Sequence, residues 1–233
     1  MTTHINRATD ALLIIDIQND FCPGGALAVP DGDAIIPGVI ALAEQFDTVV
    51  LSQDWHPATH ASFASHHAGA SPFSTTEMPY GAQTLWPDHC VQGSEGAAFH
   101  PDLVAAGVVD RACAVVRKGM NPAVDSYSAF FENDQVTATG LGGFLCDRGI
   151  KRVICVGLAY DFCVGYSAID ATRLGFAATV VKDLARAIEM TIGDDTSVNH
   201  IEMTFKEAGV KVVQASDFSP EEPQVRRRRS HNP

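Results

Sequence analysis

At 233 residues, 46% of them hydrophobic and 19% charged, the chain can bury a substantial core, which excludes disorder over most of its length. Its 28 acidic against 16 basic residues give a formal net charge of −12, which excludes nucleic acid as a partner, since phosphate binding needs a basic face. The polar opening Met1–Asp10 lacks the order of a signal peptide, no apolar run nears the roughly 20 residues of a membrane helix, and six cysteines show no C-x-x-C spacing. A cytoplasmic protein with reduced thiols and no membrane partner is therefore expected.

After a lead-in over residues 1–10, the apolar run Ala11–Ile17 predicts a strand. Apolar residues at mixed three and four spacing over Ile35–Phe46 predict a helix, and Thr48–Ser52 a second strand. The rhythm then breaks: residues 54–100 are rich in His, Pro, Ser and Gly and hold no sustained period, as expected of a functional excursion. Alternation resumes with strand Ala114–Val116, helix Val136–Arg148, strand Arg152–Gly157, helix Asp161–Leu174, strand Ala177–Val181, helix Thr196–Ala208 and strand Val210–Val213. Gly149, Gly175 and Gly209 fall where helices stop. The pattern predicts one α/β domain over residues 11–215 around a mainly parallel sheet covered on both faces. Residues 216–233 read as a solvated tail; setting aside Arg226–Arg229 leaves 12 basic against 28 acidic residues, a body of −16.

In open α/β sheets the ligand sits beyond the carboxyl ends of the strands. Four such ends are chemically loaded: Asp16, Asp54 with His56, Lys118 and Cys163. Cys163 opens a predicted helix, where free N–H groups and the helix dipole favour a thiolate and lower its pKa. Lys118 would add to that effect, and Asp16 could take the thiol proton. Taken singly, Cys163 reads as a buried structural thiol, Asp16 as a helix cap and Lys118 as the partner of any surface carboxylate. Asp54-x-His56, with His89 from the same excursion, is a carboxylate and two imidazoles of the kind that binds zinc, manganese or iron. His60, His66 and His67 lie nearby and stay unassigned, as does a contribution of Ser62. No G-x-S-x-G, H-E-x-x-H, G-x-G-x-x-G or G-x-x-x-x-G-K-[ST] string occurs, so serine hydrolase, zincin and nucleotide-binding readings lose their support.

Asp16, Lys118 and Cys163, in that order, resemble the catalytic triad of the isochorismatase-like cysteine hydrolases, and among these the nicotinamidases. The resemblance is carried by L-I-I-D-I-Q-N-D-F-C-P-G-G-A-L (Leu13–Leu27), Q-D-W-H-P (Gln53–Pro57), L-W-P-D-H-C (Leu85–Cys90), R-K-G (Arg117–Gly119) and V-G-L-A-Y-D-F-C-V (Val156–Val164). It spans about Ala11 to Val213 and implies a three-layer sandwich around a six-stranded, mainly parallel sheet. It also implies hydrolysis of nicotinamide, and of pyrazinamide, to the acid and ammonia through a Cys163 thioester, a reaction of pyridine nucleotide salvage. Backbone N–H groups of Ala159 and Cys163 would hold the oxyanion, with a cis peptide between Leu158 and Ala159. Asp54, His56 and His89 would bind one divalent ion, zinc first and manganese or iron as alternatives, which orients the pyridine ring. Phe21, Trp86, Tyr127 and Leu158 would contact substrate, while Phe162 stands where some relatives carry His. Another small-amide hydrolase acting on a carbamoyl or ureido group is the alternative, and a homo-oligomer is left open. A metallohydrolase would survive Cys163→Ala, and a binding protein would hold nicotinamide unconverted.

Overall fold

The computed structural model describes residues 3–219, so the Arg226–Arg229 tail lies outside the described residues. Six parallel strands form the central sheet: β1 (Asp10–Ile15), β2 (Thr48–Asp54), β3 (Ala114–Lys118), β4 (Arg152–Leu158), β5 (Ala177–Arg186) and β6 (Lys211–Val213). Their order is β6-β5-β4-β1-β2-β3. All six expected strands are present. Every residue of β1 and β2 is buried, which is why their central runs Ala11–Ile15 and Val49–Leu51 are apolar without alternating. The edge strand β3 instead alternates partly buried with exposed residues until Lys118.

The carboxyl ends of five strands differ from expectation, β4 by one residue and β5 by five, and the other three differences bear on the site. β1 stops at Ile15 because Asp16 turns to a left-handed backbone, φ 47°, which ends the ladder. β2 and β3 run two residues further than predicted, and Asp54 lies opposite Lys118 in their register. Two acidic and basic strand termini are thereby locked side by side.

The helices are α1 (Ile36–Ala43), α2 (Pro101–Ala105), α3 (Leu141–Asp147), α4 (Gly165–Arg173) and α5 (Ser197–Ala208). α3 starts five residues later than its apolar spacing predicts, since Gly140 at φ 96° breaks the backbone just before it. The helix expected from Asp161 begins with a π-turn over Tyr160–Val164, and only then becomes α4. Thr196 caps α5 by accepting from the Asn199 N–H. Among the described residues no helix is long and apolar enough to cross a membrane, and all six cysteines are free.

The 54–100 excursion is ordered by long-range pairing rather than by a period of its own. It holds a hairpin, Thr75–Met78 with Gly81–Thr84, and doubles back through bridges between His56 and Val91 and between Phe63 and Trp86. The His56 N–H donates to the Cys90 carbonyl at 3.0 Å, and the Trp86 N–H to the Ser62 carbonyl at 2.8 Å. His89 is thus returned to His56 across a gap of 33 residues. The chain order changes direction between β1 and β4, so the loops leaving their carboxyl ends diverge and open a crevice there.

Candidate active site

Lys118, at the end of β3, stands at the centre of the crevice, and its side chain is fully buried. The ammonium donates to Asp54 Oδ1 at 2.9 Å, to the Ser126 carbonyl at 2.9 Å and to Cys163 Sγ at 3.4 Å. Those three contacts match its three protons. Asp16 Oδ2 lies 2.9 Å from the same nitrogen as an ion pair without an aligned hydrogen bond, while Asp16 Oδ1 accepts from Ser52 Oγ at 2.7 Å. A carboxylate, a cation and a thiol, 147 residues apart at the extremes, therefore meet at one ammonium group.

The electrostatics separate the three roles. Burial opposes charge on Lys118, but Asp16, Asp54 and Cys163 outweigh it and hold the ammonium well above its ordinary range. Asp16 is raised because burial exceeds the lowering by Lys118. Cys163 departs from expectation: its thiol is pushed well up, not down. Burial is the largest cause, Lys118 offsets part of it, and Asp16 and Asp54 add to it. The expected help from a helix start is also altered, since Cys163 sits inside the π-turn and not at the first position of α4. Burial thus favours the protonated thiol over the thiolate at Cys163.

The second constellation adjoins the first through Asp54, whose other oxygen lies 2.9 Å from His56 Nε2 and 3.3 Å from His89 Nε2. Each ring directs Nδ1 at a carbonyl, His56 to Gly119 at 3.0 Å and His89 to Pro87 at 2.8 Å. Since a carbonyl only accepts, Nδ1 carries a proton in both, which leaves Nε2 as the nitrogen that would offer a lone pair to an ion. Three donor groups, all buried and with ligand atoms within 4.8 Å of one another, suit a divalent cation. Burial resists charge on Asp54, yet His56 and Lys118 keep its carboxyl well below the usual range.

A small cavity joins the two constellations, lined by Phe21, Trp86, Tyr127, Ala159 and Phe162 besides polar residues already described. Trp86 and Phe162 meet edge to face with centroids 5.0 Å apart, and Tyr127 packs on both, at 6.1 Å and 5.5 Å. The peptide between Leu158 and Ala159 is cis. Leu158 itself does not line the cavity. Its side chain is fully buried near Gly32, because Ala159 is the residue that β4 turns toward the crevice.

His66 and His67 bind the Ala58 and Ala61 carbonyls and are not among the donors that converge, whereas His60 is buried with its ring 4.3 Å from that of His56. Sequence reasoning missed Asp125, Ser126, Gln18 and Gln83. Gln18 accepts from the Asp54 N–H and donates to the Asp54 and Ala97 carbonyls, pinning the end of β2. Gln83 donates to Asp125 at 2.8 Å and to Tyr127 Oη at 3.0 Å. Its one sequence signal is an amide on a hairpin strand that is otherwise exposed or half-buried.

Residues 10–217 match the isochorismatase domain. The chain belongs to the isochorismatase family. This isochorismatase-family chain is 46% identical to the nicotinamidase of Acinetobacter baylyi over 210 residues, covering 89% of this chain and 94% of that protein. The solved nicotinamidase/pyrazinamidase of Acinetobacter baumannii superposes with a TM-score of 0.85 at 46% identity, covering 90% of this chain and 98% of the other. PnC1 of L. infantum, solved in complex with nicotinate, is 39% identical with a TM-score of 0.79 and covers 94% and 99% of the two chains. The pyrazinamidase of Pyrococcus horikoshii, solved in complex with zinc, is 32% identical with a TM-score of 0.66 and covers 88% and 98%. The six-stranded parallel sheet with its helices matches the isochorismatase-like α/β fold.

Proposed function

We propose that residues 11–215 form a nicotinamide amidohydrolase, which converts nicotinamide to nicotinate and ammonia and accepts pyrazinamide as well. One observation carries this reading: a single buried ammonium, Lys118, lies 3.4 Å from the Cys163 sulfur, 2.9 Å from Asp16 and 2.9 Å from Asp54. Nucleophile, base and ion-binding carboxylate are thus coupled through one charge. The relatives named nicotinamidase and the nicotinate complex support the choice of substrate.

In the mechanism assigned here, Asp16 takes the thiol proton as Cys163 Sγ attacks the carboxamide carbon. Lys118 stabilises the sulfur anion while it exists. Backbone N–H groups of Ala159 and Cys163 hold the oxyanion. Collapse breaks the C–N bond, Asp16 protonates the departing ammonia, and an acyl thioester remains on Cys163. Asp16 then takes a proton from water, which attacks the thioester carbon and releases the acid with the thiol restored. Asp54, His56 and His89 would hold one divalent ion, for which zinc is the first choice because a zinc complex is known among the relatives. Such an ion supplies a Lewis-acidic anchor for a pyridine nitrogen. Phe21, Trp86, Tyr127 and Phe162 give the cavity the aromatic lining that suits a flat heterocycle.

The test is ammonia release from nicotinamide and pyrazinamide by purified protein supplied with zinc. Turnover of both, abolished in Cys163→Ala, is expected. No turnover of nicotinamide beside turnover of a carbamoyl or ureido substrate would replace this reading, and activity surviving in Cys163→Ala would end the cysteine mechanism.

A further inference from the structure

His60 is fully buried, and apart from a weak contact with the Val124 backbone its Nε2 makes no well-aligned hydrogen bond, which is costly for a polar atom away from water. His60 sits among metal-type donors: one of its ring nitrogens lies within 4.8 Å of a His56 ring nitrogen and an Asp125 carboxylate oxygen, all three residues buried, and its ring centroid is 4.3 Å from that of His56. Either His60 ligates an ion or it serves one. The tautomer decides between these. His60 Nδ1 accepts from the Ser62 N–H at 3.2 Å and lies 2.7 Å from Ser62 Oγ. A backbone N–H can only donate, so His60 Nδ1 bears no proton, and the single ring proton sits on Nε2. His56 and His89 are the reverse, with protons on Nδ1 and Nε2 left to offer a lone pair to an ion. Two imidazoles would thus meet an ion with lone pairs and the third with an N–H.

Asp125 complements that donor. Its two oxygens accept from the Ser126 N–H at 2.7 Å and from Gln83 Nε2 at 2.8 Å, and each keeps a further lone pair. A donor and an acceptor beside His56 are the two partners that a solvent molecule bound to an ion needs.

We propose that His60 is a positioning residue and not a metal ligand: with Ser62 setting its tautomer, it donates from Nε2 to a solvent ligand of the ion, whose proton Asp125 accepts. This inference rests on the metal reading of Asp54, His56 and His89. It adds that the ion has two imidazole ligands only, and that the hydrogen bonds His60 and Asp125 make to its solvent contribute to affinity.

The test uses the full chain, stripped of metal and reloaded. In the cobalt(II) protein, proton NMR in water is expected to show two strongly shifted, solvent-exchangeable ring N–H signals, from His56 and His89. Both signals persist in His60→Leu and His60→Gln. Zinc affinity, measured by competition with a chromophoric chelator, is expected to fall about 10- to 100-fold in His60→Leu. It recovers in His60→Gln, whose amide N–H reaches about as far as Nε2. A third shifted signal in the wild type that disappears in His60→Leu would make His60 a ligand and overturn the proposal. Unchanged zinc affinity in His60→Leu overturns it too, while leaving the metal reading intact. A wild-type protein that takes up neither ion overturns both together.

Discussion

Two carboxylates and a thiol share the Lys118 ammonium, and a buried charge of that kind is tolerable only while its partners remain. Lys118→Met keeps the volume and removes the cation, leaving Asp16 and Asp54 as neighbouring like charges. Urea unfolding is expected to show a loss of about 3–5 kcal/mol, the usual consequence of breaking a buried pair, and ammonia release is expected to vanish even where the variant stays folded. Asp16 leads to a second expectation. Burial raises its carboxyl above the ordinary 3.8, and the base works only when ionised. The kcat/KM for nicotinamide therefore falls as pH drops through a pKa lying above 3.8, and rises again as the proton leaves. An acid limb at or below 3.8 would contradict the assigned base. The three residues themselves stood out in the sequence because each lies at or a few residues beyond the end of an apolar run. The protonation of Cys163 was not, because it depends on how deeply Asp16, Asp54 and the sulfur are buried together, which no local pattern records.

Strands and helices were legible wherever a run or period was continuous, and their ends were misread where one residue's backbone overrode the pattern, as Asp16 and Gly140 do. The excursion was legible only as an interruption. Its order comes from bridges such as His56 with Val91, which join residues far apart in sequence. One junction exposes how tightly β3 and that excursion fit. Gly119 follows β3 at φ 65°, and a Cβ there would sit 2.3 Å from the His56 ring carbon Cε1 and 2.5 Å from Nδ1. Gly119→Ala is disfavoured by its backbone and also pushes His56 off the Gly119 carbonyl that fixes its tautomer. The expected result is a loss of more than about 1 kcal/mol in stability, with zinc affinity down at least tenfold, about the effect of losing an outer hydrogen bond to a ligand. Equilibrium denaturation and chelator competition read the two effects separately. Zinc binding as tight as wild type would show that His56 is not held from β3.

The three candidate donors come from the end of β2, from His56 just beyond it and from the far end of the excursion, so no compact stretch of the unfolded chain can assemble them. An ion held by Asp54, His56 and His89 consequently binds the folded molecule and not the unfolded one, and it stabilises the whole fold by mass action. With free zinc at about 1,000 times its dissociation constant the gain is about 4 kcal/mol. For a chain of this size each kcal/mol moves the melting temperature by about 2–4 °C, so chelation is expected to lower Tm by about 8–16 °C. The sign with pH follows from the ligands: both imidazoles must offer lone pairs, and Asp54 raises the pKa of His56 above its ordinary 6.5 despite burial. Protons therefore compete with the ion, and the stabilisation by zinc shrinks as pH falls toward and through that range. Differential scanning calorimetry with and without chelator, at two pH values, measures both effects. Asp54→Ala is expected to melt at one temperature whether or not zinc is present, because the carboxylate that joins the two imidazoles is gone. A zinc-dependent Tm persisting in that variant would place the ion elsewhere in the molecule.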